Sequence, residues 1–245
     1  MEARYADSRL RFLIGDVRDR DRLRRAFEGC SLVVHAAALK RIEKGETDAI
    51  EFLRTNTIGA VNVVEAALDA GVERVVGVST DKAAAPVTHY GVTKLAAERI
   101  FMSGNRYGGG RTQFVVVRYG NVVGSQGSVI PLWLKQKAEG APLTLTGAGF
   151  TRFWMTMGEA VSLVCHAAEH GAPGTVLIPA LPAVRVEDVA EAIAPKQARE
   201  MIGVRGIEKL HEVLSSDDEA PMIGRSVNAE TGQEVFVFGQ SFKGS

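Results

Sequence analysis

Short apolar runs alternate with longer amphipathic stretches through the first half of the chain, and that alternation sets the expected elements. The runs Arg11 to Ile14, Leu32 to Ala36, Val75 to Val78 and Phe114 to Val117 are too short for helices and stop at turn signals, so they read as strands. Between them, Asp21 to Phe27 and the stretch from Ala49 to Ala70 repeat apolar residues near the helical period, and Gly71 falls where a helix should end. Asn56, a poor helix former, is expected on the surface of the second helix. A further helix begins near Tyr90 and continues from Leu95 to Phe101. Strands and helices in alternation predict βαβ units and a parallel sheet.

Beyond Ser128 the rhythm changes. Leu143 to Thr146 and Thr151 to Trp154 read as short segments, and Glu159 to Glu169 as a helix, which together predict a small α+β lobe over the carboxyl edge of the sheet. Open α/β sheets bind their ligands at that edge. The glycines at 104, 108, 109 and 110 follow a helix rather than a strand, so they mark a flexible connection and not a nucleotide-binding turn. After about Ser215 the sequence is polar, and no element is assigned to it.

Composition narrows the function. Of 245 residues, 46% are hydrophobic and 24% charged, enough for a globular chain with a sizeable core. Lys plus Arg and Asp plus Glu both total 29, so no overall charge directs the chain to nucleic acid or to a membrane surface, and an anionic ligand must be held locally. Cys30 and Cys165 stand far apart with no CxxC pair, which argues against a metal site or a disulfide framework and fits a reducing, cytoplasmic setting. No apolar run approaches the roughly 18 residues of a membrane span, and the first residues lack a signal-peptide core.

Candidate chemistry gathers between Arg74 and Lys94. The strand ending at Val78 delivers Ser79, Thr80, Asp81 and Lys82, and Tyr90 and Lys94 lie one helical turn apart on a common face. A Lys94 ammonium beside the Tyr90 phenol is expected to lower its pKa and make it a usable acid or base. With the Thr80 hydroxyl, these groups suit proton removal from an alcohol while hydride leaves its carbon, a step that requires a nicotinamide acceptor. Asp81 and Lys82 add a second acid and base, which alcohol oxidation alone does not need; elimination is their obvious use. The small residues Ala36, Ala37 and Ala38 at a strand end would admit a flat ligand or equally serve tight helix packing.

The runs Ser79 to Ala84, Tyr90 to Lys94, His35 to Lys40, Arg118 to Ser125 and Thr151 to Trp154, in register from about Arg9 to Leu214, resemble the extended short-chain dehydrogenase/reductases. Within that superfamily the match is to the C5-inverting UDP-N-acetylglucosamine 4,6-dehydratases of the polysaccharide-biosynthesis group. The resemblance implies a Rossmann-like doubly wound parallel sheet, with residues 1–128 as an NADP-binding domain carrying the catalytic residues, 129–215 as mainly a substrate-binding lobe, and 216–245 as a tail. It implies that Tyr90, Lys94 and Thr80 take part in oxidising the sugar C4 hydroxyl, that Lys82 takes the C5 proton, and that Asp81 protonates the leaving C6 hydroxyl. Tyr90 would return a proton to C5; membrane-anchored relatives that retain C5 configuration tend to carry Met there. Asp16 and Val17 would flank the adenine of NADP, with Ala36, Ala37, Ala38 and Lys40 on its ribose and phosphate side and Tyr90 and Lys94 also against the cofactor. Asn121, Arg152, Arg205 and Glu208 match positions near the UDP-sugar, although Arg205-Gly206-Ile207-Glu208-Lys209 departs from the family's usual Arg-Pro-Gly-Glu-Lys. A homo-oligomer without nucleic-acid or membrane partners is implied as well. Two alternatives stay open: a UDP-sugar 4-epimerase, which does not need Asp81 and Lys82, and a non-catalytic nucleotide-sugar-binding remnant.

One part of the pattern is missing. A dinucleotide fold normally opens with a strand, a glycine turn that seats the pyrophosphate on a helix N-terminus, and a second strand. Here no glycine-rich turn follows a strand before Asp16, so the sheet is expected to be incomplete at its N-terminus, without the strands between Arg11 to Ile14 and Leu32 to Ala36. A truncated piece of a longer protein is the reading that follows. The 245 residues are expected to bind NADP weakly or not at all, and tight binding in calorimetry would overturn that expectation.

Overall fold

A computed structural model describes residues 7–204 and 206–239. In chain order the first elements are α1 (Arg20–Phe27), β1 (Leu32–His35), α2 (Ile42–Thr47), α3 (Ala49–Phe52), a π-helical turn (Leu53–Ile58), α4 (Gly59–Ala70), β2 (Arg74–Thr80), a 3-10 turn (Asp81–Ala83) and α5 (His89–Tyr107). There follow β3 (Gln113–Tyr119), β4 (Asn121–Val122), α6 (Val129–Ala138), β5 (Leu143–Leu145), β6 (Thr151–Met155) and α7 (Met157–His170). The remainder comprises β7 (Val176–Pro179), β8 (Ala183–Arg185), α8 (Val186–Ile193), β9 (Arg199–Met201), β10 (Ile223–Val227) and β11 (Glu234–Phe238).

The main sheet runs β1-β2-β3-β7-β11-β10. The first four strands are parallel, with Val33 opposite Val75 and Val75 opposite Phe114, and β11 and β10 join antiparallel. Successive side chains leave opposite faces of a strand, and here both faces are covered. Val75 packs with Val63, Val64, Phe101 and Phe114 beneath α4 and α5, whereas Val76 packs with Val115, Leu163 and Ala167 beneath α7. Burial on both sides is why these strands read as continuous apolar runs. A separate core of Trp133, Leu143, Leu145, Ala190 and Ala194 supports the small α+β lobe.

Three expectations change. Arg11 to Ile14 forms no strand: the segment is extended outside the sheet, Leu13 and Ile14 are 50% and 94% exposed, and the Ile14 carbonyl accepts from Arg22 Nε at 2.6 Å. An apolar run becomes a strand only where a ladder partner is in reach; β1 is the outermost strand and pairs with β2 alone among the described residues. The span from Ala49 to Ala70 is helical throughout but widens into a π turn at Leu53–Ile58, and Asn56 within it is buried at 1% exposure rather than lying on the surface. Its amide accepts from the Leu39 N–H (2.8 Å) and donates to the Leu39 carbonyl (2.9 Å) and to Thr93 Oγ1 (3.0 Å), within the wide turn that interrupts the helix. Finally, the segment after Ser215 folds as the β10–β11 hairpin, with Val235 and Phe238 fully or nearly buried against the sheet.

A buried ion cluster ties this hairpin segment to the sheet and to α5. Arg118, at the end of β3, is 0% exposed; its Nε and Nη2 donate to Glu98 of α5 (3.0 and 2.6 Å), and Nη1 and Nη2 donate to Glu219 (2.6 and 3.0 Å). The Leu214 carbonyl accepts a further bond from Nη1 at 3.0 Å. Burial disfavours the guanidinium charge, but Glu219 and Glu98 outweigh it and hold Arg118 more firmly protonated than usual. Burial likewise pushes Glu219 up, and Arg118 more than reverses that push. Arg118→Leu would leave buried Glu98 without its guanidinium and Glu219 with only the half-exposed Arg99 at 3.3 Å, and a loss of about 3–5 kcal/mol of stability is expected in urea unfolding.

Candidate active site

At its carboxyl end β2 passes directly into the 3-10 turn Asp81–Ala83, and Thr80 caps that turn. The Thr80 hydroxyl accepts from the Lys82 N–H (3.4 Å) and donates to Asp81 Oδ1 (2.8 Å). The next helix, α5, starts at a Thr88 cap whose hydroxyl accepts from the Gly91 N–H at 3.1 Å. Gly91 has a steric reason: a Cβ there would stand 2.3 Å from the Lys82 carbonyl oxygen. Glycine thus lets the first turn of α5, with Tyr90 and Lys94, pack directly on the Asp81–Lys82 turn.

Burial governs the charges of this group. Tyr90 is 9% exposed, and burial pushes its phenol above the ordinary value, with a small opposing effect from Thr80 and a further upward one from Asp81. The expected lowering by Lys94 is not what the structure has. Lys94 Nζ instead donates to the Val78 carbonyl at 2.7 Å, and burial lowers the amine to about 8, partly opposed by Glu98 one turn on. Tyr90 is therefore a neutral phenol at neutral pH, able to give a proton. His35, at the end of β1, is held to about 4 by burial and by Lys94, and its Nε2 is buried without a partner. Asp81 is fully buried; Lys82 Nζ donates to its Oδ1 at 3.1 Å, while Oδ2 is buried and unpartnered. A buried carboxylate oxygen without a donor is costly if folding is its only purpose.

The other sequence-derived residues lie in several places. Asn121 joins the Asp81–Lys82 turn, its Oδ1 standing 3.5 Å from Lys82 Nζ. Arg152, 6% exposed, pairs with Glu208 and donates to the Thr151 and Leu210 carbonyls (2.7 and 3.2 Å), so two residues chosen for substrate contact are brought onto each other. Arg205 lies outside the described residues. Ala36, Ala37 and Lys40 are exposed and Ala38 partly so, along the segment that Asn56 anchors through Leu39. Lys40 borders a cleft of about 510 Å³ with Arg41 and Lys44. Asp16 and Val17 lie against α4: the Val17 carbonyl accepts from Asn62 at 3.0 Å, and Arg18 engages the Asp16 carboxyl at 2.8 Å, holding it at about 2.

A second, narrow cleft opens between the Asp81–Lys82 turn and the segment from Ile207 to Glu212. Sequence reasoning missed two of its residues. Lys209 Nζ donates to the Ala84 carbonyl at 2.8 Å, and Glu212, 7% exposed, stands 3.5 Å from Lys82. The available signal was the run Glu208, Lys209 and Glu212, three charges within five residues of an otherwise apolar and turn-like stretch. Among the described residues no His, Cys, Asp and Glu cluster could hold a metal ion, both cysteines are free thiols, and no helix is long and apolar enough to cross a membrane.

A parallel sheet covered on both faces, with Thr80 at a strand end and Tyr90 and Lys94 on the helix that follows, defines a Rossmann-like fold of the short-chain dehydrogenase/reductase type. Residues 1–228 match the family described as polysaccharide biosynthesis protein, and the chain belongs to that family. It is 42% identical over 213 residues to a C5-inverting UDP-N-acetylglucosamine 4,6-dehydratase of Campylobacter jejuni, covering 86% of this chain and 64% of that relative. It is 39% identical to a UDP-glucose 4-epimerase of Rickettsia prowazekii over 91% of this chain and 70% of the relative. The solved structure of Pen from Bacillus thuringiensis superposes with a TM-score of 0.91 at 34% identity, over 98% of this chain and 76% of that one.

The Lys94 amine carries a pH signature. In the folded chain it binds its proton less tightly than the ordinary 10.5, so between about 8 and that value the unfolded state holds more protons. Its contribution to stability therefore rises with pH across that window. The stability of the wild type minus that of Lys94→Met, from urea midpoints, is expected to increase from pH 8 towards pH 10; a flat difference would show that Lys94 keeps its ordinary affinity.

Proposed function

We propose that the chain carries the catalytic centre of a C5-inverting UDP-N-acetylglucosamine 4,6-dehydratase, a lyase that uses a nicotinamide cofactor, NADP in our reading, and yields a 4-keto-6-deoxy sugar nucleotide for polysaccharide or glycan synthesis. The observation that carries this reading is the Asp81–Lys82 pair, in mutual contact at 3.1 Å and packed on the Tyr90 turn. The small, exposed Ala36 to Ala38 turn fits close approach of the ribose and phosphate side of the cofactor, and exposed Lys40 supports the extra phosphate of NADP. For the pyrophosphate the fit is poor: among the described residues no strand precedes α1, and none supplies a glycine turn onto a helix N-terminus. A nicotinamide held there would supply the hydride acceptor for oxidation at C4 and the donor for reduction at C6.

The protein's own groups handle the protons. Thr80 and Tyr90 orient the C4 hydroxyl, and Lys94, whose amine burial lowers to about 8, is our choice to take its proton, the proton that later restores Tyr90. Once C4 is a ketone, the C5 hydrogen is acidic, and Lys82 removes it. Asp81 gives a proton to the C6 hydroxyl, which leaves as water; contact between Lys82 and Asp81 lets the proton taken at C5 replace the one spent at C6. Tyr90, neutral because buried, then protonates C5 from the opposite face, which inverts it. Arg152, with Asn121, Glu208 and Arg205, is our choice for the sugar nucleotide, since a planar guanidinium fork matches a diphosphate. A cytoplasmic protein that self-associates completes the reading; exposed Ile50, Leu53, Ile58 and Val92 support association.

A 4-epimerase is the competing reading, favoured by the relative of that name. Product analysis separates the two, because only dehydration loses water and leaves a 6-deoxy carbon. Asp81→Asn and Lys82→Ala are each expected to cut 4-keto-6-deoxy product by about 10²-fold or more, the usual weight of a general acid or base. Undiminished product from both variants would overturn the assigned roles, and an epimer as sole product would replace the dehydratase reading.

A further inference from the structure

Glu212 is a buried carboxylate that folding does not explain. Its side chain is 4% exposed; Oε1 lies 3.5 Å from Lys82 Nζ, and Oε2, 3.9 Å from Lys209 Nζ, has no hydrogen-bond partner. It belongs to no helix or strand, so no element requires it there. Lys82 is thereby enclosed by three acceptors from three parts of the chain: Asp81 at 3.1 Å, the Asn121 amide oxygen at 3.5 Å and Glu212 at 3.5 Å. Three residues before Glu212, Lys209 ties the same segment to the catalytic turn through the Ala84 carbonyl at 2.8 Å. One residue before that, Glu208 holds Arg152.

We infer that Glu212 is a positioning residue for Lys82, fixing where the long lysine side chain presents its amine within the cleft. A lysine stem has four rotatable bonds, and Asp81, its sequence neighbour, constrains only one side of it. Glu212 supplies the constraint from the far side of the cleft. Because Glu208, Lys209 and Glu212 share one short segment, a sugar nucleotide seated at Arg152 and Glu208 also sets the lysine. The catalytic consequence rests on the dehydratase reading, but the grip on Lys82 does not.

Two measurements keep these apart. Competitive acetylation of the full chain with acetic anhydride, read by peptide mass spectrometry, reports the reactivity of each lysine without turnover. Glu212→Gln is expected to raise labelling of Lys82 about two- to five-fold relative to exposed Lys135, as for loss of one partly exposed ion pair, with Glu212→Asp in between; equal labelling in wild type and Glu212→Gln overturns the inference. In the turnover assay with UDP-N-acetylglucosamine, Glu212→Gln is expected to lower kcat about ten-fold at unchanged KM, a misplacement effect, and to raise the isotope effect on kcat for substrate deuterated at C5. Altered labelling with unchanged kcat and isotope effect overturns the positioning role. A wild type that forms no 4-keto-6-deoxy product at NADP concentrations shown by calorimetry to saturate it refutes the dehydratase reading for this chain, and the labelling result, which needs no cofactor, still decides whether Glu212 grips Lys82. Glu212→Gln that unfolds at a lower urea midpoint is read through Lys209→Gln, which keeps Glu212 and is expected to leave Lys82 labelling within two-fold of wild type; a larger rise there assigns the grip to Lys209 and overturns it for Glu212.

Discussion

The fold turns on one buried guanidinium. Arg118 stands at the end of a central strand with every side of its fork engaged, by Glu98 from α5, by Glu219 and by the Leu214 carbonyl from the segment that leads to the last hairpin. A charge in a protein interior is tolerated only when its partners are complete, so the three parts must arrive together. The consequence reaches the chemistry, because Glu98 sits one turn beyond Lys94 on the helix that carries Tyr90. The C-terminal segment thereby helps decide where α5 lies, although none of its described residues lines the cleft.

Around that anchor the centre is arranged by burial more than by charge pairing. Tyr90, Lys94 and His35 are all driven towards their neutral forms by loss of water, and the only lysine of the group with carboxylate partners is Lys82. Neutral groups in a dry site exchange protons without large reorganisation, which suits a reaction whose steps are proton and hydride transfers. The charged pair is confined to the place where an elimination would need both an acid and a base.

Two contacts distant in sequence give the site its shape. Asn56, inside the wide turn, fastens the Leu39 backbone to Thr93 of α5, which ties the small-residue turn after β1 to that helix. Opposite, the segment from Ile207 to Glu212 is held on β6 by the Thr151 N–H to Leu210 carbonyl bond and lines the cleft with its side chains. Neither relation follows from a local pattern: each joins residues at least 17 positions apart by hydrogen bonds or ion pairs.

Much was legible beforehand, for a physical reason in each case. Strands buried on both faces must be apolar throughout, which made Val75 to Val78 and Phe114 to Val117 readable, and a helix that ends in a left-handed turn calls for the glycine found at position 71. The meeting of Thr80, Asp81, Lys82, Tyr90 and Lys94 was readable because strand end, turn and first helical turn are local, so their spacing already implied it. What the sequence could not determine depends on partners far along the chain. Arg11 to Ile14 has the composition of a strand but pairs with no strand among the described residues, while the polar segment Ile223–Val227 is a strand because Glu234–Phe238 lies beside it. The direction of the Tyr90 shift likewise belongs to the tertiary structure, since spacing brought an ammonium near the phenol but only packing decided that lost water, and not that ammonium, would set its charge.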